Sequence, residues 1–292
     1  MKVLVLGGNG MLGHKLVQAW ETKFDVFTTL RENFSDYKHF GIFNSYKVFD
    51  KINVEKIKRF EQVIKQIKPQ VIFNAIGIIK QLPSSKNVVK TLNVNSIFPH
   101  LLAEIAEKHN SRLINISTDC VFSGKKGEYT EKDYADAEDL YGKSKNFGEV
   151  TEGNCLTLRT SIIGRELSAG HSLVEWFLGN RGKTVKGFKN AIYTGFPTIV
   201  LAKIISDIIE NYPNMHGLYH LSSNKISKYE LLKLLNKEFA TNIEIIPDED
   251  FRIDRSLDST KFRQETRFKP LNWAEMIKMM AEDAEFYKNF KK

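Results

Sequence analysis

Short apolar runs recur along the first half of the chain, at "KVLVLG" (2–7), "DVFTTL" (25–30), "QVIFNAIG" (70–77), "RLINIS" (112–117) and "CLTLRT" (155–160). Each has the length and β-branched content of a strand. Between them, 11–21, 54–68, 95–109 and 139–152 carry apolar residues at helical spacing on good helix formers. Strands that alternate with helices predict a parallel sheet joined by right-handed crossovers. Runs apolar at successive positions suit a sheet covered on both faces. The expected fold class is α/β, a doubly wound parallel sheet. After about residue 165 the rhythm loosens. A helix is expected at 171–180, then the Gly- and Lys-rich "GNRGKTVKGFKNAIYTGFPT", a helix at 198–211 and a strand at 217–222. A helix at 227–238, a strand at 242–246 and a final helix at 272–290 complete the chain. This divides it into a nucleotide-binding unit, 1–165, to which 190–222 returns, and a smaller α/β lobe, 166–292, for substrate recognition.

Composition narrows the class without naming it. The 292 residues suffice for one large domain or two modest ones, and 42% hydrophobic with 27% charged residues is ordinary for a globular chain. No apolar run reaches the roughly 20 residues of a membrane helix, and the N-terminal run of about five is too short for a secretory signal. The expectation is a cytoplasmic protein. Cys120 and Cys155 make no C-x-x-C, and the seven histidines show no paired spacing, so neither a disulfide framework nor a metal site is expected. Net charge is +8, with lysines spread along segments such as 51–68 rather than gathered in a block. That bias fits an anionic small-molecule substrate, with neither nucleic acid nor membrane as partner.

Candidate chemistry begins with "VLVLGGNGMLGHKL", where Gly7, Gly10 and Gly13 lie between a strand and a helix. Gly7 permits a tight turn, Gly10 lets a pyrophosphate approach, and Gly13 allows close helix–strand packing. Asn9, Met11 and Leu12 share this loop and helix start, whose N–H groups and positive dipole end face phosphates. This is the dinucleotide site of a Rossmann sheet. At the end of the second strand, where an acid would take a ribose hydroxyl of NAD, the chain reads "TTLRE". Arg31 pairs well with a 2′-phosphate, so NADPH is favoured, with NADH the alternative; a solvated loop residue is the plainer reading of Arg31. Asp50 suits either the adenine amino group or a helix cap, although Asn53 is better placed to cap.

Tyr141 and Lys145, in "LYGKSK", stand four apart on one helix face. An ammonium beside a phenol favours phenolate, which lowers the tyrosine pKa and makes it a proton donor near neutrality. Ser117 or Thr118 closes the preceding core strand, about two dozen residues upstream.

Taken with "PQVIFNAIG", "LNVNS", "STDCVFSGKKGEYTE", "YGKSKNFGE", "LRTSIIGRE", "GFPT", "GLYHLS" and "FRIDRSLDSTKF", the chain resembles the extended short-chain dehydrogenase/reductases. Within them it is similar to the dTDP-4-dehydrorhamnose reductase family over nearly its whole length. The resemblance implies NADPH-dependent reduction of the C4 keto group of a nucleotide-linked 4-keto-6-deoxy sugar, dTDP- or UDP-linked, in polysaccharide biosynthesis. It implies that Thr118 hydrogen-bonds the substrate carbonyl, Tyr141 donates the proton, and Lys145 binds the nicotinamide ribose. Asn74, Ala75 and Gly77 would pass the cofactor, and Asn95 would support the site or cap a helix. On the sugar side it implies Asp119, Cys120, Arg159 and Ile162, with Arg252 and Lys261 approaching the diphosphate. Cys120 stands where the family usually has tyrosine, Ile162 where it has tryptophan, and "RIDRSLD" lacks a proline; all three departures are on the sugar side. A sister 4-epimerase or 4,6-dehydratase, or an NADP-binding regulatory subunit like that of methionine adenosyltransferase, are the alternatives. A homodimer is compatible with each.

Overall fold

The computed structural model describes residues 1–168, 170–288 and 290. The apolar runs become β1 (Lys2–Leu6), β2 (Asp25–Thr29), β3 (Val48–Phe49), β4 (Val71–Asn74), β5 (Arg112–Thr118) and β6 (Cys155–Thr160). Helices α1 (Met11–Trp20), α2 (Ile57–Ile67), α3 (Val88–Leu92), α4 (Phe98–Lys108) and α5 (Leu140–Phe147) lie between them. The remainder runs β7 (Ile162–Ile163), α6 (Leu173–Leu178), β8 (Thr184–Tyr193), β9 (Phe196–Pro197), α7 (Thr198–Asn211), β10 (Gly217–His220) and β11 (Ile226–Ser227). It ends with α8 (Lys228–Glu238), β12 (Glu244–Asp254), α9 (Thr260–Thr266), α10 (Trp273–Asp283) and α11 (Glu285–Lys288).

Seven strands form one sheet in the order β10-β6-β5-β4-β1-β2-β3, parallel at every pairing. Successive strand residues point to opposite faces, and both faces are covered. Val3 and Val5 enter the core beneath α1 and α7, whereas Leu4 and Leu6 enter the one beneath α2 and α4. Trp20 of α1 meets Phe24 and Phe73 edge-on and donates its Nε1–H to the Ala202 carbonyl of α7. The doubly wound expectation is met, and the chain returns to this sheet at β10.

Element limits shift where local chemistry overrides the pattern. The helix expected at 95–109 starts at Val88, capped by Asn87, and passes through one π turn at Asn93–Ile97 before α4. The helix expected at 139–152 stops at Phe147, before Gly148. The Gly- and Lys-rich stretch contains β8, ten residues with alternate residues buried, and β12 is eleven residues long rather than the five of 242–246. With β11 they make a three-stranded sheet, β11-β8-β12, while β7 pairs with β9. The final helix breaks near Ala284 into α10 and α11. Among the described residues no helix is long and apolar enough to cross a membrane.

Candidate active site

The C-terminal ends of β1, β4 and β5 converge on one side of the sheet, where doubly wound folds place ligands. Gly7 sits at φ +80°, a conformation that costs a residue with a Cβ. A Cβ on Gly13 would lie 2.1 Å from the Gly7 carbonyl oxygen, so α1 packs on the loop only because that atom is missing. Gly10 precedes α1 in extended geometry with no side chain capping the helix. The first-turn N–H groups therefore face outward without a side-chain acceptor, an arrangement that fits a pyrophosphate. Behind the loop, His14 is wholly buried; its Nδ1 is 2.8 Å from the Gly10 carbonyl and its Nε2 2.6 Å from the Tyr287 hydroxyl. The carbonyl can only accept, so Nδ1–H donates to it and Nε2 accepts from Tyr287. Beside it the buried Lys15 ammonium pairs with Asp283 at 2.6 Å. Residues from the far end of the chain thus hold the helix that follows the glycine loop.

The catalytic candidates lie at the end of β5 and on α5. Thr118 ends β5 and accepts a hydrogen bond from the Cys120 N–H at 3.1 Å, and its hydroxyl donates to Asp119 at 3.1 Å. Asp139 caps α5 through the Gly142 N–H, setting Tyr141 on the first turn. A Cβ on Gly142 would fall 2.2 Å from the Cys120 carbonyl, so glycine between Tyr141 and Lys145 lets α5 close on the "STDC" turn. Tyr141 meets Thr118 there. Burial, reinforced by Cys120 and opposed by Thr118, holds the Tyr141 phenol above its ordinary pKa. The sequence pattern predicts a lowered value, and the difference has a physical cause. The Lys145 ammonium donates to the Ile116 carbonyl at 2.6 Å, and burial is the largest influence on Tyr141. Burial brings Lys145 itself down to about 8, with Glu149 acting against it.

Asn95 lies in the π turn, buried, not at a helix start. Its side chain accepts from the Ile78 N–H at 2.8 Å and donates to the Ile78 carbonyl and the Ser144 hydroxyl. It joins the loop after β4, which includes Ala75 and Gly77, to α5. The helix-cap alternative fails, because the helix begins seven residues earlier under Asn87. Asn74 is turned into the sheet, donating to Asn115 at 2.9 Å. Arg159 is also a supporting residue. It is 4% exposed, pairs with Glu149 at 2.6 Å and lies over the Phe122 ring, so it faces the core and not a sugar. Ser117 donates to the same Glu149.

The outer candidates scatter. Arg31 is exposed at the end of β2 and pairs with Glu32 at 2.7 Å. Asp50 accepts from the Phe34 N–H and so ties down the loop after β2; it does not cap α2. In that loop Tyr37 accepts from Asn9 at 2.8 Å, a contact the sequence did not signal. Ile162 is half-buried in β7 against Phe196. Arg252 is exposed on β12, and the exposed Lys261 donates to the Leu218 carbonyl and covers the Tyr219 ring. Neither reaches the "STDC" turn. The arginine that does is Arg255, 2.8 Å from the Phe122 carbonyl and 3.7 Å from Cys120 Sγ, brought there because β12 runs on past its irregularity at Asp248–Arg252. Burial raises the Cys120 thiol to about 12, which makes it a poor nucleophile. Tyr193 and Lys228 also feel Asp119 and Cys120, and no motif pointed to either.

A family model described as RmlD substrate binding domain matches residues 1–286. The chain belongs to this family. Among RmlD-family relatives, the dTDP-4-dehydrorhamnose reductase of Aggregatibacter actinomycetemcomitans is 27% identical, over 97% of this chain and 99% of that one. Methionine adenosyltransferase 2 subunit beta of Rattus norvegicus is 25% identical, over 79% of this chain and 70% of that one. The crystal structure of dTDP-4-dehydrorhamnose reductase from Bacillus anthracis in complex with NADP superposes with a TM-score of 0.80, at 20% identity, covering 97% and 99% of the two chains. That likeness bears on the fold: the RmlD-family chain is a Rossmann-like sheet with flanking helices.

Proposed function

We propose that the protein uses NADPH to reduce the C4 keto group of a nucleotide-linked 4-keto-6-deoxy sugar, with residues 166–292 receiving the sugar. The observation that carries this is the meeting of Tyr141 with Thr118 at the end of β5, beside the open start of α1. A bound nicotinamide supplies the hydride, which forms the new C–H bond at C4. Tyr141 donates a hydrogen bond to the carbonyl oxygen, Thr118 joins it once its hydroxyl turns from Asp119 to the substrate, and the Tyr141 proton passes to the oxygen as it becomes an alkoxide. A phenol whose pKa is held high is protonated at neutral pH, the form an acid needs. Lys145, fixed on the Ile116 carbonyl, offers a charge to the ribose and a route to restore that proton. Arg31 and the absence of an acid beside Thr29 favour NADPH over NADH.

An epimerase or dehydratase begins by removing a proton, which a high-pKa phenol does poorly. One acid, Asp119, follows Thr118 where a dehydratase carries two, and the next residue is Cys120. An intact Thr118, Tyr141 and Lys145 favours an enzyme over a regulatory subunit. Incubation with NADPH and a panel of dTDP- and UDP-4-keto-6-deoxy sugars tests the reading, with loss of reduced-cofactor absorbance as the readout. Oxidation is expected with at least one; none with any of them rejects it.

A further inference from the structure

Beside the Tyr141 rim lie two groups that the reaction above does not use. Tyr193, the last residue of β8, is 6% exposed, and its hydroxyl makes no hydrogen bond among the described residues. Lys228 opens α8. Its Nζ lies 4.3 Å from the centroid of the Tyr193 ring. The pairing of Ile226 with Tyr193 in β11 and β8 brings the two together. A Cβ on Gly195 would fall 2.2 Å from both the Tyr193 hydroxyl and the Ser161 carbonyl, so the hydroxyl reaches the end of β6 beside Ile162. Asp119 and Cys120 act electrostatically on Tyr193, Lys228 and Tyr141 alike.

The chemistry of the pair is one-sided. An ammonium has only donors, and a buried phenol beside it has a donor without an acceptor. Asp119, the acceptor at hand, already takes the Thr118 hydroxyl at 3.1 Å. Of the two, the Tyr193 hydroxyl is buried without a partner among the described residues, whereas Lys228 is half-buried with its ammonium over the Tyr193 ring. A buried donor left unpaired is unfavourable and marks a place completed by something else. Burial also holds Lys228 below and Tyr193 well above their ordinary pKa values. A hydroxyl placed there would bring a donor of its own. A carbonyl or carboxylate oxygen brings only lone pairs.

We propose that Tyr193 and Lys228 form a donor subsite for an acceptor oxygen of a sugar substituent, the carbonyl of an acylamino group or a carboxylate, and so select such sugars over those bearing only hydroxyls. The inference rests on the nucleotide-sugar reading above, and it is tested by binding, which needs no hydride transfer. Calorimetry with NADP⁺ present would compare nucleotide-linked glucose, N-acetylglucosamine and glucuronate, each on uridine and thymidine diphosphate. The wild type should bind the acylamino or the acidic sugar about tenfold more tightly than the glucose form, the size of one hydrogen bond to a charged group. Whichever is preferred tells the two sources apart. Lys228→Met should erase that preference while leaving glucose-form affinity within about twofold, Lys228→Arg should restore part of it, and Tyr193→Phe should lose a smaller part. Unchanged NADPH titration shows that each variant is folded. Equal binding of all three sugars, no binding of any, or equal weakening of all by Lys228→Met overturns the subsite. Absence of NADPH oxidation with keto sugars would instead count against the reductase reading alone.

Discussion

The glycine loop and the rim around Tyr141 sit at neighbouring strand ends but are built in different ways. The loop is backbone: its shape depends on missing Cβ atoms at Gly7 and Gly13, and it is held from behind by His14, Lys15, Tyr287 and Asp283. The rim is side chains, contributed by β5, α5, β8, α8 and the end of β12, and one of its donors, the Tyr193 hydroxyl, has no partner among the described residues. A site for a common cofactor can be rigid and complete in itself. A site that chooses among sugars has to leave polar groups for the substrate to satisfy. The two regions should therefore respond differently to substitution.

The largest separation is expected from Tyr141→Phe. Loss of the phenol proton should lower kcat about 10²–10⁴-fold, the usual contribution of a positioned acid. NADPH affinity, followed by fluorescence titration, should hardly change, because the loop does not touch the phenol. A parallel fall in both would mean that the two regions act as one unit.

Lys145 stands between the regions, and pH reads its role. Its pKa is lowered to about 8 by burial, so its charge is lost as pH rises through that value. If the charge supports turnover, kcat should decline above about pH 8 with a single-proton dependence. Glu149 opposes the lowering, so Glu149→Gln should move the break to lower pH. A profile flat to about pH 9.5 would separate Lys145 from the chemistry.

The contrast also explains what was legible in the sequence. Strands β1, β4, β5 and β6 were readable because a sheet covered on both faces demands apolar residues at successive positions. Gly7, Gly13, Thr118, Tyr141 and Lys145 were readable because each sits in a short local motif whose geometry needs that residue. β8 was not. Its buried positions Val185, Gly187, Ala191 and Tyr193 are interrupted by Lys189 and interleaved with Lys186 and Asn190, so no continuous apolar run marks the strand. Arg255 was missed in favour of Arg252 because an irregular strand decides which of two nearby arginines turns inward. Tyr193 and Lys228 meet through a two-residue strand pairing, a contact no local pattern encodes. His14 and Tyr287 are 273 residues apart.

That last contact sharpens the comparison with the smallest expected effect. Tyr287→Phe keeps the ring, and with it the edge contact to His14 at 5.7 Å and the Arg165 guanidinium at 5.1 Å, and removes only the hydroxyl. His14 Nε2 then loses the Tyr287 donor, and one of the two contacts that favour the tautomer donating to the Gly10 carbonyl is gone. A hydrogen bond of this kind contributes about 1 kcal/mol. Were all of it spent on holding the loop in its binding shape, the NADPH Kd would rise about fivefold, with kcat at saturating cofactor unchanged. The pattern is thus the reverse of that for Tyr141→Phe: affinity moves and turnover does not. A lower melting temperature with an unchanged Kd would make Tyr287 a staple for the C-terminal helices, leaving the loop's shape to its glycines alone.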